Sequence, residues 1–205
     1  MRYAVVDVET TGLGRKDEVI QFACILADEN FNAMKLYNTY CYTQHPIDPR
    51  AFAVHKLDKE TLLKLSKGRT LEDNIVLMKD LFNQKDITWV EYSNNGFDLR
   101  LINQTLINNG ASAVDFGKRT VKLDADVGIW NYSIMHGICN LLFGGRMVKL
   151  SQAVKSLPYT EENIRTMFRR YVSLNKTNSD GFHNADFDAF VTWLLLYAYG
   201  KKLRY

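Results

Sequence analysis

Apolar and polar positions change period along the chain in a definite order. Arg2 to Val8 is rich in Val and Ala and reads as a buried strand. A turn-like run follows, Thr10-Thr11-Gly12-Leu13-Gly14-Arg15-Lys16-Asp17. Glu18 to Asp28 and Leu36 to Gln44 read as a second and third strand joined near Asp28-Glu29-Asn30, which predicts an antiparallel meander. At His45-Pro46-Ile47-Asp48-Pro49 the chain must leave the sheet, because proline cannot donate to a ladder. Helical spacing then takes over. Asp58 to Leu65 reads as a short helix, and Thr70 caps a longer one with Leu71, Ile75, Met78, Leu81 and Phe82 on one face. Ile87 to Tyr92 returns to strand, and Phe97 to Asn108 is an amphipathic helix ended by Asn109-Gly110. Val121 to Asp124 reads as a short strand, and Gly128 to Tyr171 as helices broken at Gly144-Gly145 and Pro158. A polar loop, Asn175 to Gly181, leads to a strongly apolar helix, Ala185 to Tyr199. The order predicts an α/β fold: a mixed β-sheet, antiparallel meander plus parallel strands, flanked by α-helices.

Composition narrows the class. The 205 residues are expected to form one domain, 1–205, with 46% hydrophobic and 24% charged positions as in an ordinary globular chain. No apolar run approaches the roughly 20 residues of a membrane span, and the N-terminus lacks a signal-peptide pattern. Cys24, Cys41 and Cys139 are unclustered and have no zinc spacing. Unpaired cysteines fit a reducing interior, so a cytoplasmic location is expected. The net charge is only +3, but residues 1–117 carry −3 and residues 118–205 carry +6. Lys118, Arg119, Lys122, Arg165, Arg169 and Arg170 are among the later excess. They read equally well as a solvated helix surface or as a phosphate-contacting face.

The informative oddity is Asp7-Val8-Glu9. A carboxylate inside a buried strand is costly, and residues two apart share a face, so two negative charges would stand side by side. A cation between them would relieve this; a solvated Glu9 and an Asp7 capping the following turn would relieve it as well. Asp98 follows a strand and opens a helix, where an acid also complements the macrodipole. His183-Asn184-Ala185-Asp186-Phe187-Asp188 opens the last helix; Asp188 follows the inward register of Val191 and Leu195, while Asp186 is expected at the surface. Asp7, Glu9, Asp98 and Asp188 together are hard oxygen ligands suited to Mg²⁺ or Mn²⁺, and a nearby histidine suits a general base.

DVETTGL (Asp7 to Leu13), SNNGFDLRLI (Ser93 to Ile102) and HNADFDA (His183 to Ala189) resemble, in order, the three motifs of the DEDDh 3′→5′ exonucleases, an RNase H-like family. The resemblance implies a sheet of about five strands and two divalent cations. Asp7 would bridge them, Glu9 and Asp188 would complete the first, Asp98 would serve the second through water, and His183 would activate the attacking water. It further implies that Thr10, Thr11, Gly12 and Leu13 receive the 3′-terminal nucleotide. His55, within Ala53-Val54-His55-Lys56-Leu57, Phe97 and Asn94 of the second motif would contact the same nucleotide. Lys56 stands where the family has glycine, and Ser93-Asn94 where it often has His-Asn.

The leading expectation is a metal-dependent 3′→5′ exonuclease, acting on single-stranded DNA by preference and releasing nucleoside 5′-monophosphates. The alternatives are an RNA-trimming or short-oligonucleotide exoribonuclease, and a nucleic-acid-binding replication subunit with secondary nuclease activity. Residues 118–178 are expected to be a family-variable helical segment. No membrane partner is expected; the short segment after the last helix disfavours docking of a polymerase by a tail, and self-association remains open.

Overall fold

The computed structural model describes residues 2–84, 86–92, 96–116, 134–172 and 181–203. Strands β1 (Arg2–Thr10), β2 (Val19–Ala27) and β3 (Ala33–Tyr40) form the meander, and β4 (Ile87–Glu91) adds to its other side. Among the described residues the sheet has four strands in the order β3-β2-β1-β4, with β4 parallel to β1 and the other pairs antiparallel. The expected strand at Val121–Asp124 and most of the expected loop at Asn175–Gly181 lie outside the described residues.

Among the described residues, nine α-helices connect or cover these strands: α1 (Pro49–His55), α2 (Lys59–Ser66), α3 (Leu71–Leu77), α4 (Lys79–Phe82), α5 (Phe97–Asn108), α6 (Ile134–Phe143), α7 (Leu150–Ala153), α8 (Glu161–Val172) and α9 (Ala185–Tyr199). The expected face from Leu71 to Phe82 is divided between α3 and α4 by a break at Met78, although Thr70 caps α3 as read, in a capping box with Asp73. The third strand sits earlier than read, Ala33–Tyr40 rather than Leu36 to Gln44. Its pairing with β2 ends at Gln21–Tyr40, and Cys41 is held by Ile20 as the chain departs. Helix α1 was not expected. Asp48 is its N-cap, accepting from the Arg50 N–H, and Pro49 is pre-set for the first helical position.

The period of two in β1 divides the interior. Ala4, Val6 and Val8 join Leu101, Ile102 and Leu106 of α5 on one face, while Tyr3 and Val5 join Phe187, Phe190 and Val191 of α9 on the other. Asp7 and Glu9, at odd positions, therefore stand on the α9 face. Helix α9 is buried nearly all round from Ala185 to Leu196, with the sheet on one side and α6 and α8 on the other. Ala185 and Ala189, one turn apart, pack on Ala23 of β2. Ala23 is the cross-strand neighbour of Asp7, so three small side chains let the start of α9 approach the sheet beside that acid. Among the described residues no helix is long and apolar enough to cross a membrane.

Candidate active site

Asp7, Glu9 and Asp188 meet on this face: each offers a carboxylate oxygen, and the three lie within 4.8 Å of one another. Asp7 and Glu9 are both inside β1, so neither takes the solvated or turn-capping role that would have separated them. The ladder register shifts between Glu9 and Thr10, so the pairing is irregular just beyond the acids, where Thr10 pairs with Val19. Asp188 accepts the backbone N–H of His183 on Oδ2 at 3.0 Å, while its buried Oδ1 has no hydrogen-bond partner among the described residues.

Asp98 reaches the same region from the other face. The pairing of β4 with β1 stops at Glu91–Val6, and the Val8 N–H further along β1 donates to Asp98 Oδ1 at 3.1 Å. Gly96 permits this approach. It is the N-cap of α5, in the left-handed region at φ 70°, and has no side chain with which to cap. Glu91 does the capping instead, accepting the Leu99 N–H on Oε2 at 3.1 Å. This acid, only 4% exposed, escaped the sequence reading. The signal was there, since Glu91 ends the apolar run ITWVE as Asp7 interrupts an earlier one.

So many acids in low dielectric hold one another's protons. Burial raises the Asp7 pKa well above the usual carboxylate range, and Asp98, Asp188, Glu9 and Glu91 add to it. Glu9 is pushed up to about 8, by burial first and by Asp188 second. Asp188 rises to about 7 through burial; the His183 N–H opposes this and Asp186 adds to it. Asp98 is raised by burial and then by Glu91, with the Val8 N–H pulling down. Hard oxygen donors, an orphaned buried oxygen and mutual repulsion are what a divalent ion would resolve, so the residues fit one.

Asp186 corrects an expectation. It is fully buried, 0% exposed, because α9 has no solvent-facing side in this stretch. Its Oδ2 accepts from Asn38 Nδ2 at 2.8 Å. His183 is exposed and has φ 67°, beside the site but outside the carboxylate group.

The expected nucleotide-binding residues divide. Thr10 and Thr11 are buried in a pinned turn: Thr10 Oγ donates to the Gly12 carbonyl at 2.7 Å and Thr11 Oγ to Asp17 at 2.8 Å. The Asp17 carboxylate lies where a Cβ on Gly12 would come within 2.8 Å, so no larger residue fits there without displacing it. Leu13 caps this rigid turn with its side chain 77% exposed. The Asp48 N–H donates to the Thr11 carbonyl at 2.7 Å, which ties α1 to the turn. At the far end of α1, His55 accepts the Leu57 N–H on Nδ1. Burial lowers its pKa, and the Thr10 backbone offsets part of that. Phe97 is half-buried at the start of α5, with the Arg100 guanidinium 5.5 Å over its ring. Asn94 lies outside the described residues, as do Lys118, Arg119 and Lys122 of the basic excess. Arg165 and Arg169 are partnered within α8 by Glu161 and Glu162.

Comparison with curated protein sequences gives no significant match. Solved structures do match. Exonuclease I aligns over 98% of this chain at 16% identity and TM-score 0.70, and this chain spans 41% of that one. E. coli exonuclease I in complex with a dT13 oligonucleotide aligns over 97% of this chain and 40% of its own, at 16% identity and TM-score 0.67. Exonuclease X in complex with 5′ overhanging duplex DNA aligns over 100% of this chain and 93% of its own, at 16% identity and TM-score 0.55. At such identities the likeness establishes the RNase H-like fold. The family model described as exonuclease, RNase_T, matches residues 4–196, and the chain belongs to that exonuclease family.

Proposed function

We propose that this chain is a metal-dependent 3′→5′ exonuclease that shortens single-stranded DNA and releases nucleoside 5′-monophosphates. The observation that carries the reading is the convergence of Asp7, Glu9 and Asp188 within 4.8 Å, with Asp98 completing the acidic floor. Asp7, Glu9 and Asp188 would hold one divalent cation, and Asp7 with Asp98 a second, Mg²⁺ or Mn²⁺. Bound there, the pair would stabilise the attacking and leaving oxygens of an in-line displacement at phosphorus. His183 takes a proton from the attacking water as its oxygen bonds to phosphorus, and the O3′ of the penultimate nucleotide leaves. The turn Thr10 to Leu13 positions the terminal nucleotide: its backbone faces the terminal hydroxyl, and the Leu13 side chain lies against the base. His55 and Phe97 flank it. The exonuclease I and exonuclease X complexes contain DNA, which supports DNA over RNA as substrate. Residues 1–205 are read as one exonuclease domain, with 118–178 its family-variable part.

The test uses 5′-labelled single-stranded DNA, duplex DNA and RNA of matched sequence, with Mn²⁺, Mg²⁺ or EDTA. A ladder shortening from the 3′ end of single-stranded DNA, only with metal, is expected. Turnover in EDTA would remove the metal reading. Faster RNA shortening would reassign the substrate, and metal binding without shortening of any polymer would favour a binding role.

A further inference from the structure

The carboxylates of the site belong to two cross-strand rows that continue beyond it. Asp7 pairs with Ala23 and Ala23 with Asn38; Glu9 pairs with Gln21 and Gln21 with Tyr40. Paired residues share a face, so Gln21 and Asn38 lie under the start of α9, as the two acids of β1 do. Gln21 Nε2 donates to Asn38 Oδ1 at 3.1 Å and to Asn184 Oδ1 at 2.8 Å, while its Oε1 accepts the Ala185 N–H at 3.3 Å. Asn38 Nδ2 then donates to Asp186 Oδ2 at 2.8 Å, and Asp186 Oδ1 accepts the Phe187 N–H at 3.0 Å. Asn184, the N-cap of α9, makes no side-chain cap bond to its own helix, so the first N–H of that helix is satisfied by the sheet instead. Two positions beyond Asp186 stands Asp188, and His183 immediately precedes the cap.

A fully buried carboxylate that the proposed chemistry does not use is expensive to keep, several kcal/mol unless it is well hydrogen-bonded. Apolar contacts alone could seat a helix this hydrophobic. What they cannot fix is its rotation and height over the sheet at the first turn, because Ala185, Ala189 and Ala23 are small and smooth. Directional bonds fix both.

We propose that Gln21, Asn38, Asn184 and Asp186 form a buried positioning network that holds the first turn of α9 in register with β1, so that Asp188 and His183 stand correctly against Asp7 and Glu9. Asp186 also adds a negative charge behind Asp188, which favours a cation in front of it. The inference rests on the metal-dependent reading above.

The variants are Asn38→Ala and Asp186→Asn, with Thr39→Ala as the control. Thr39 is on the same strand but on the opposite face, where its hydroxyl donates to Asn74 at 2.8 Å, away from the acids. Each is measured for Mn²⁺ binding by electron paramagnetic resonance without substrate, for kcat and KM on an oligonucleotide, and for thermal unfolding. Asn38→Ala and Asp186→Asn are expected to weaken Mn²⁺ binding or lower kcat by about 10–100-fold, the range for groups that orient metal ligands. KM should stay within about twofold, and Thr39→Ala should lose stability only. If both network variants behave as Thr39→Ala does, less stable with unchanged Mn²⁺ binding and kcat, the network is merely structural and the proposal fails. If the wild-type chain itself binds no Mn²⁺, the metal reading fails first, a result that no comparison among variants can mimic.

Discussion

Asp188 holds the two halves of the candidate site together. One of its oxygens takes the His183 backbone N–H; the other is buried beside Asp7 and Glu9 with no hydrogen-bond partner among the described residues. Removing the carboxylate would free the His183 backbone and take one oxygen donor from the three-acid group at once. Asp188→Ala and Asp7→Ala are therefore expected to lose nearly all turnover with Mn²⁺ present. His183→Ala is a different case, because its side chain is exposed and outside that group. It should slow the chemical step by about 10²–10⁴-fold, the range for loss of a general base, while Mn²⁺ binding persists. Single-turnover rates beside Mn²⁺ titrations separate the two; Mn²⁺ affinity lost with His183 would make it a ligand. At this scale the sequence was readable where an acid interrupted an apolar run, as at Asp7, although the same signal at Glu91 escaped the reading. It misled at Asp186, because polarity alone puts an aspartate outside, and only the surroundings of α9 show that no outside exists there.

Among the elements, α5 and α9 carry the bounds read from the sequence, Phe97–Asn108 and Ala185–Tyr199, because each opens on a marked break and keeps its apolar spacing. Helix α1 buries none of its residues, so no period of 3.6 exists to be read; its marks are the Asp48 cap and Pro49. Strand β3 slipped because its mixed burial, with Met34 and Lys35 both exposed, gives no clean alternation. What caps α5 could not be read from its own residues, since the acceptor comes from Glu91 on another element. Glu91 supplies an acceptor for the Leu99 N–H and also a charge that repels Asp98. The two contributions should separate. Glu91→Gln keeps an acceptor and removes the repulsion, so in EDTA its urea midpoint should equal or exceed that of the wild type. Glu91→Ala loses the cap and should cost about 1 kcal/mol or more. If Glu91→Gln falls as far as Glu91→Ala, the charge rather than the acceptor is what α5 requires.

Across the whole molecule, the clustered acids link stability to pH and to cations with a definite sign. In the metal-free protein, Glu9 and Asp188 bind protons more tightly folded than unfolded, with folded values of about 8 and about 7. Between the unfolded carboxylate range and those values the folded state carries the extra protons, so stability falls as pH rises. The stabilisation is complete below about pH 4 and is lost progressively up to about pH 8. His55 opposes this, since its lowered pKa makes the unfolded state the better proton binder near neutrality, but it is one half-buried group against several coupled acids. The unfolding temperature in EDTA should therefore drop between pH 5 and pH 8. A bound divalent cation replaces the protons and stabilises the folded state by mass action, so the gain from Mn²⁺ should be larger at pH 8 than at pH 6. For a chain of this size each kcal/mol moves the midpoint by about 2–4 °C, which calorimetry resolves. Asp188→Asn should flatten the slope in EDTA and shrink the gain from Mn²⁺. A profile in EDTA that rises from pH 5 to pH 8, or a Mn²⁺ gain equal at both pH values, would mean that the acids are not the groups that bind the ion.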